Sequence, residues 1–133
     1  MDDDTTGLVL IVEDDENLRE PLEYLLRQRH FDVISASSVR SALVLLGTCQ
    51  PDAAIVDLQL GDGSGRDVIR RIQSNAPVII FSGMRALSGQ LERSRPRTRL
   101  VEKPCSLTWL LNTLDEMMDT PPPGGGPHLQ RAA

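Results

Sequence analysis

The chain has 133 residues, and setting aside the Pro/Gly-rich stretch from Thr120 leaves about 120 for one core, so two independent domains are not expected. Apolar residues make up 40% of it and aromatics only 3%, so the core must rest on Leu, Ile, Val and Ala, which excludes both a disordered chain and an aromatic platform for single-stranded nucleic acid. The 19 acids outnumber the 14 bases, and a net charge of -5 argues against a polyanion-binding surface, so direct nucleic-acid binding is not expected.

Residues 1–6 are acidic and polar, unlike a secretory leader, and read as a disordered N-terminus. Leu8 to Val12 is an unbroken apolar run, the pattern of a strand buried on both faces of a parallel sheet. Leu18, Leu22, Leu25 and Leu26 then form a helical stripe. Pro21 falls inside that helix and predicts a local kink or a late start, and His30 is placed at the helix end, where a cation suits the dipole. A second run, Val33 to Ala36, precedes a stripe of Val39, Ala42, Leu43 and Leu46. Ala53 to Val56 is the third run. The segment Leu60-Gly61-Asp62-Gly63-Ser64-Gly65 matches no phosphate-binding glycine motif and reads as a mobile loop. It leads to a stripe of Val68, Ile69 and Ile72.

Val78 to Phe81 is the fourth run. The helix expected over residues 84–99 contains Ser88, Gly89, Ser94 and Pro96, so it should be short or irregular. Its arginines, Arg85, Arg93, Arg95, Arg97 and Arg99, face only Glu92, which gives an arginine-rich solvated loop or a docking face for an acidic partner. Leu100 to Val101 is the last run. Ser106 is a candidate N-cap for a helix carrying Leu107, Leu110, Leu111, Leu114 and Met118, in which Trp109 packs part of its ring or lies at the surface. Residues 120–133 read as a tail or linker, so the folded unit is expected over 7–119. Five strands alternating with helices define an α/β sheet with right-handed crossovers. No apolar run approaches the roughly 20 residues of a bilayer span, and Cys49 and Cys105 suit neither a disulfide framework nor zinc. A cytoplasmic protein with two inert thiols and no membrane association is the expectation.

In such a sheet, functional groups gather where strands end. The first run ends in Glu13-Asp14-Asp15, the third in Asp57, the fourth in Ser82-Gly83 and the fifth in Glu102-Lys103-Pro104. Carboxylates this close repel one another unless positive charge is supplied, and hard oxygen donors favour Mg2+, with Mn2+ as the alternative. Asp14 and Asp57 are the candidate direct ligands, Glu13 a ligand through water, and the backbone carbonyl of Gln59 a further donor. Lys103 is the only lysine beside thirteen arginines, a compact charge on a flexible stem suited to reach a phosphoryl oxygen. The Lys103-Pro104 peptide is a candidate cis bond. Ser82 offers a hydroxyl, and Gly83 leaves room and a free N–H.

Taken together, Leu8-Val-Leu-Ile-Val-Glu-Asp-Asp, Ile55-Val-Asp-Leu-Gln-Leu, Ser82 and Lys103-Pro104 resemble the receiver domain of bacterial two-component response regulators over about residues 7–118. The resemblance implies a flavodoxin-like (βα)5 fold, a five-stranded parallel sheet of order 2-1-3-4-5 with helices on both faces. It implies that Asp57 is the phosphoacceptor, that Glu13 and Asp14 with Asp57 hold Mg2+, and that Lys103, Ser82 and Gly83 bind the phosphoryl group. Ser82 would also act as the switch hydroxyl, and the Gln59 and Met84 positions would tune loss of the phosphoryl group by water attack.

The implied partners are a sensor histidine kinase or histidine phosphotransfer protein and an output partner that the sequence does not identify, with homodimerisation open. The implied role is a signalling receiver that catalyses only its own phosphorylation and dephosphorylation. Gly61 replaces the family's common loop proline, and Leu100 replaces the switch aromatic, so a rotating ring cannot couple the site to output. The alternative reading is a phosphorylation-independent interaction module on the same fold. An aspartyl-phosphate phosphohydrolase would require Asp-x-Asp, whereas Leu58-Gln59 follows Asp57, and a flavin phosphate would meet three acids after the first strand.

Overall fold

The computed structural model describes residues 6–83 and 93–119. Its elements are β1 (Gly7–Val12), α1 (Glu16–Gln28), β2 (Phe31–Ala36), α2 (Val39–Leu46), β3 (Ala53–Val56), β4 (Gln59–Leu60), β5 (Gly63–Ser64), α3 (Gly65–Ile69), β6 (Val78–Ser82), β7 (Thr98–Glu102) and α4 (Leu107–Asp119). Five strands form one parallel sheet in the order β2-β1-β3-β6-β7. This is the expected 2-1-3-4-5 order, because the short β4–β5 hairpin takes two numbers. The fold is α/β and flavodoxin-like.

Strand alternation divides the core. Even-numbered Leu10, Val12, Ala54, Val56, Val78 and Ile80 pack with α2 and α3, together with Val39, Ala42, Leu46, Val68, Ile69 and Ile72. Odd-numbered Val9, Ile11, Ala53, Ile55, Ile79 and Phe81 pack on the other face with Leu22 and Leu26 of α1 and Leu110, Leu111 and Leu114 of α4. Helices therefore cover both faces. Truncating one of these fully buried leucines, such as Leu26, would cost about 2–5 kcal/mol in lost transfer energy and residual cavity. The aromatics of α1 and α4 are exposed instead, Tyr24 at 62% and Trp109 at 54%.

Local chemistry sets the helix ends. Asp15 caps α1 by accepting from the Asn17 N–H at 2.9 Å, so the helix starts early and not late. It also continues through Pro21, which is exposed, so the Asn17 carbonyl that loses its helical donor faces water. His30 ends the segment in a left-handed turn, φ 70°, with its N–H donating to the Arg27 carbonyl. Ser106 starts α4 as expected, its hydroxyl accepting from the Trp109 N–H at 3.2 Å. Just before β1, the Thr6 N–H donates to the His30 carbonyl at 2.7 Å. Of the N-terminus expected to be disordered over 1–6, residues 1–5 lie outside the described residues, as do the main part of the fourth crossover with Met84 and Arg85 and the tail from Thr120.

Two expectations about loops are corrected. Segment 60–65 is a β4–β5 hairpin, with the Asp62 carboxylate accepting from the Val39 and Arg40 N–H groups at the start of α2, at 2.8 and 3.0 Å. Those contacts hold the Asp62 carboxyl below its ordinary range. Two of the described arginines of the last crossover, Arg95 and Arg97, are structural ties, whereas Arg93 and Arg99 are exposed. Arg95 donates to the Gln73 and Ala76 carbonyls at 2.6 and 2.9 Å, and Arg97 to the Asn75 and Met117 carbonyls at 3.0 and 2.7 Å. A fork with five donors can gather the free carbonyls after one helix and at the end of another, which explains arginine here. Neither residue is a solvated loop arginine.

Candidate acidic site at the carboxyl edge of the sheet

Register assembles the site. Val12 is level with Val56 on the adjacent strand, so Glu13 and Asp57, each one residue further, emerge side by side. Their backbones prolong the ladder, Glu13 N–H donating to the Ala36 carbonyl and Asp57 N–H to the Val12 carbonyl, both at 3.0 Å. Ser82 is level with Glu102, which puts Lys103 just beyond the edge of β7. Glu13, Asp57 and Lys103 all continue the odd-numbered alternation, so they emerge on the α1/α4 side of the sheet.

Lys103 lies two strands away from Asp57, and its stem crosses β6 with the ammonium 5.3 Å from the Phe81 ring centre. Its Nζ then meets Glu13 Oε1 at 2.8 Å and Asp57 Oδ2 at 2.9 Å. A long, flexible stem is what that span needs. The Lys103-Pro104 peptide is cis.

Glu13 is 2% exposed and Asp57 6%. Burial pushes the Glu13 carboxyl above its ordinary range, against the lowering pull of hydrogen bonds from Lys103 and the Asp15 N–H. For Lys103, burial alone would lower the ammonium; its hydrogen bonds to Glu13 and Asp57 outweigh burial and raise it above the ordinary lysine value. Lys103 is therefore a committed cation, shared by two carboxylates. One charge between two acids leaves a net negative pocket. Glu13, Asp14 and Asp57 each offer an oxygen within 4.8 Å of the others, and an all-carboxylate donor set of this kind fits Mg2+ or Mn2+.

The remaining candidates fall around this centre. Asp14 is exposed, and Asp15 is occupied as the α1 cap. The Gln59 N–H donates to Asp57 Oδ1 at 3.0 Å, a contact the sequence reading did not anticipate. Ser82 is fully buried at the end of β6 and its carbonyl accepts the Lys103 N–H at 3.1 Å. Among the described residues, a side chain added at Gly83 would meet no atom within 4 Å. Leu100 is partly buried against the α2/α3 core. Cys49 and Cys105 are free thiols, and burial pushes Cys105 up, away from reactivity.

Gly65 is a site residue that sequence reasoning missed. A Cβ built on it would lie 2.1 Å from the Asp57 carbonyl oxygen and 2.8 Å from Val56 Cγ1. The first residue of α3 thus presses directly on the backbone that carries Asp57, and only glycine fits. The signal was present as a glycine just after a serine cap, but its contact partner is eight residues back.

Residues 9–115 match the model of the response regulator receiver domain. The chain belongs to that family. Among curated relatives, the heme response regulator HssR of Staphylococcus saprophyticus is 37% identical over 81 residues, covering 59% of this chain and 36% of that protein. The sensory transduction protein RegX3 of Mycolicibacterium smegmatis is 40% identical over 76 residues, covering 56% and 33% respectively. The matched part of the receiver thus spans about a third of the length of these relatives. Among solved structures, the non-phosphorylated HemR receiver domain of Leptospira biflexa is similar with a TM-score of 0.74 at 26% identity, covering 93% of this chain and 100% of that one. This receiver is a signalling module, of the kind found in response regulators and consistent with phosphorylation-dependent signalling. Among the described residues no helix is long and apolar enough to cross a membrane.

Proposed function

We propose that this receiver accepts a phosphoryl group on Asp57 from the phosphohistidine of a sensor kinase or phosphotransfer protein. The observation that carries the reading is the bridge of Lys103 Nζ to both Glu13 and Asp57, at 2.8 and 2.9 Å, beside a third carboxylate. One Asp57 oxygen attacks phosphorus, a P–O bond forms, and the P–N bond breaks with its electron pair leaving on the donor imidazole. Lys103 follows the negative charge from the carboxylate to the equatorial oxygens, and the Gln59 N–H fixes the carboxylate's rotation by holding Oδ1.

Glu13, Asp14 and Asp57 would hold Mg2+, or Mn2+ in its place, with the Gln59 carbonyl as a further donor. When bound, the ion supplies charge neutralisation for the transferring group. Ser82 and the Gly83 N–H would bind the acyl phosphate. Movement of Ser82 toward it would shift a pre-existing equilibrium between partner-binding surfaces, in proportion to the differential contact. The residues at the Gln59 and Met84 positions would set the rate of hydrolysis. The output partner, a homodimer included, belongs to the same reading, as does a cytoplasmic location. The packed Leu100 bears on the alternative of a phosphorylation-independent interaction module, since no ring is there to rotate.

Incubating the protein with acetyl phosphate and Mg2+ should add one phosphoryl group, located on Asp57 by mass measurement, and Asp57→Asn should abolish it. Stoichiometric labelling of the Asn variant elsewhere would overturn the assignment. Pull-down of partners with and without beryllium fluoride separates the switching receiver from the phosphorylation-independent module.

A further inference from the structure

Glu13 and Asp57 are fixed by Lys103, but the exposed Asp14 is not held by that bridge. The aim of its carboxylate therefore follows the backbone that carries it, beginning with the peptide plane between Glu13 and Asp14. The oxygen of that peptide, the Glu13 carbonyl, accepts a hydrogen bond from Arg19 Nη1 at 2.9 Å. Arg19 is the fourth residue of α1, closing its first turn, with its side chain only 19% exposed. Its Nε faces Glu23 Oε2 at 3.8 Å, one helical turn on. Glu23 is itself anchored, because Oε2 also accepts the Ser35 hydroxyl from β2 at 2.5 Å. A continuous chain thus runs from β2 through Ser35, Glu23 and Arg19 to the peptide preceding Asp14.

We propose that Arg19 is a positioning residue for divalent-cation binding, acting through the Glu13–Asp14 peptide. The proposal rests on the reading that Glu13, Asp14 and Asp57 hold the cation. A planar fork can donate to the carbonyl with one nitrogen while facing Glu23 with another, so the guanidinium is held from two sides and gives the peptide oxygen a fixed donor. With the carbonyl turned to Arg19, the Asp14 backbone is presented in one orientation and its carboxylate stays with the other two acids.

The sign of the effect separates this role from simple electrostatics. Arg19 is a positive charge near an acidic cluster, so by charge alone its removal should tighten cation binding. Positioning predicts the opposite, because loss of a residue that orients a ligand weakens affinity.

The test is Mn2+ binding at neutral pH by calorimetry on the full chain, with folding checked by circular dichroism. Arg19→Met should raise the Mn2+ Kd about 10-fold. Arg27→Met is the control: Arg27 faces Glu23 from the other side at 3.9 Å, and its deletion removes the same charge without touching the Glu13 carbonyl. Its Kd should equal or fall below that of the wild type. Should Arg19→Met fail to fold, Arg19→Lys keeps charge and stem but cannot fork, and should also bind more weakly than the wild type.

Unchanged or tighter binding in the folded Arg19 variants would overturn the positioning role, as would equal weakening by Arg27→Met. Asp14→Asn and Asp57→Asn separate the two levels. If they leave Mn2+ binding intact, the cation reading itself fails; if they abolish it while Arg19→Met binds normally, only the role of Arg19 fails.

Discussion

Gly65→Ala opposes two physical effects of different sign. At the first position of α3, helix propensity alone would make alanine stabilising by at most the roughly 1 kcal/mol of a helix interior. The added methyl, however, would lie 2.1 Å from the Asp57 carbonyl oxygen, 2.8 Å from Val56 Cγ1 and 3.0 Å from the Asp57 carbonyl carbon. Carbon and oxygen need more than 3 Å, so the two backbones must part by roughly 1 Å. Neither side is a flexible side chain, and Gly65 is further tied by its N–H to the Leu58 carbonyl at 3.0 Å. Overpacking of this kind costs about 1–3 kcal/mol, and with backbone on both sides the upper value applies, leaving a net loss of about 2 kcal/mol. The displaced backbone carries Asp57, and a shift of about 1 Å in a reacting group costs on the order of 100-fold in rate. Urea unfolding followed by far-ultraviolet circular dichroism measures the first quantity, and the initial rate of phosphorylation by acetyl phosphate the second. A variant as stable as the wild type, phosphorylated at the same rate, would refute the close-approach argument.

Three further outcomes follow from the same contacts. Lys103→Met leaves the buried carboxylates of Glu13 and Asp57 facing each other without a cation, and in metal-free buffer should lose about 2 kcal/mol by urea unfolding, a deficit that added Mg2+ narrows. Asp62 titrates lower in the folded protein than unfolded, so its contribution is present above its ordinary carboxylate range and fades as pH falls through it. The stability gap between wild type and Asp62→Asn should therefore shrink between about pH 5 and pH 2, and a gap independent of pH in acid titration would contradict the capping of α2. Arg95→Met removes donors from the Gln73 and Ala76 carbonyls and the Thr98 hydroxyl, and should lower stability by about 2–3 kcal/mol in urea without changing Mn2+ affinity.

What could be read from the chain was whatever depends on periodicity and on strand ends. Leu10, Val12, Ala54 and Ile80 announce buried strands because both faces of the sheet are covered, and the same logic puts Glu13, Asp57 and Lys103 on one rim. What could not be read depends on contacts between residues whose spacing carries no pattern. Asp62 reaching the start of α2, Gly65 pressing on Asp57, and Arg95 collecting carbonyls after α3 each join segments through one tertiary approach. Arg95 and Arg97 escaped the sequence reading for a related reason: composition counts charge, and the role of a guanidinium is decided by which carbonyls lie within its reach. Pro21 misled because an exposed helix face can hand an unpaired carbonyl to water.

Building a core from aliphatic side chains also decides how the protein looks to light. Its only indole, Trp109, stands 54% exposed on α4, and Tyr24 is 62% exposed on α1, whereas the two phenylalanines, Phe31 and Phe81, are buried. The tryptophan emission of the native state is therefore already that of a wetted ring, open to quenching by iodide, and unfolding will shift its colour little. The interior, by contrast, is nearly dark.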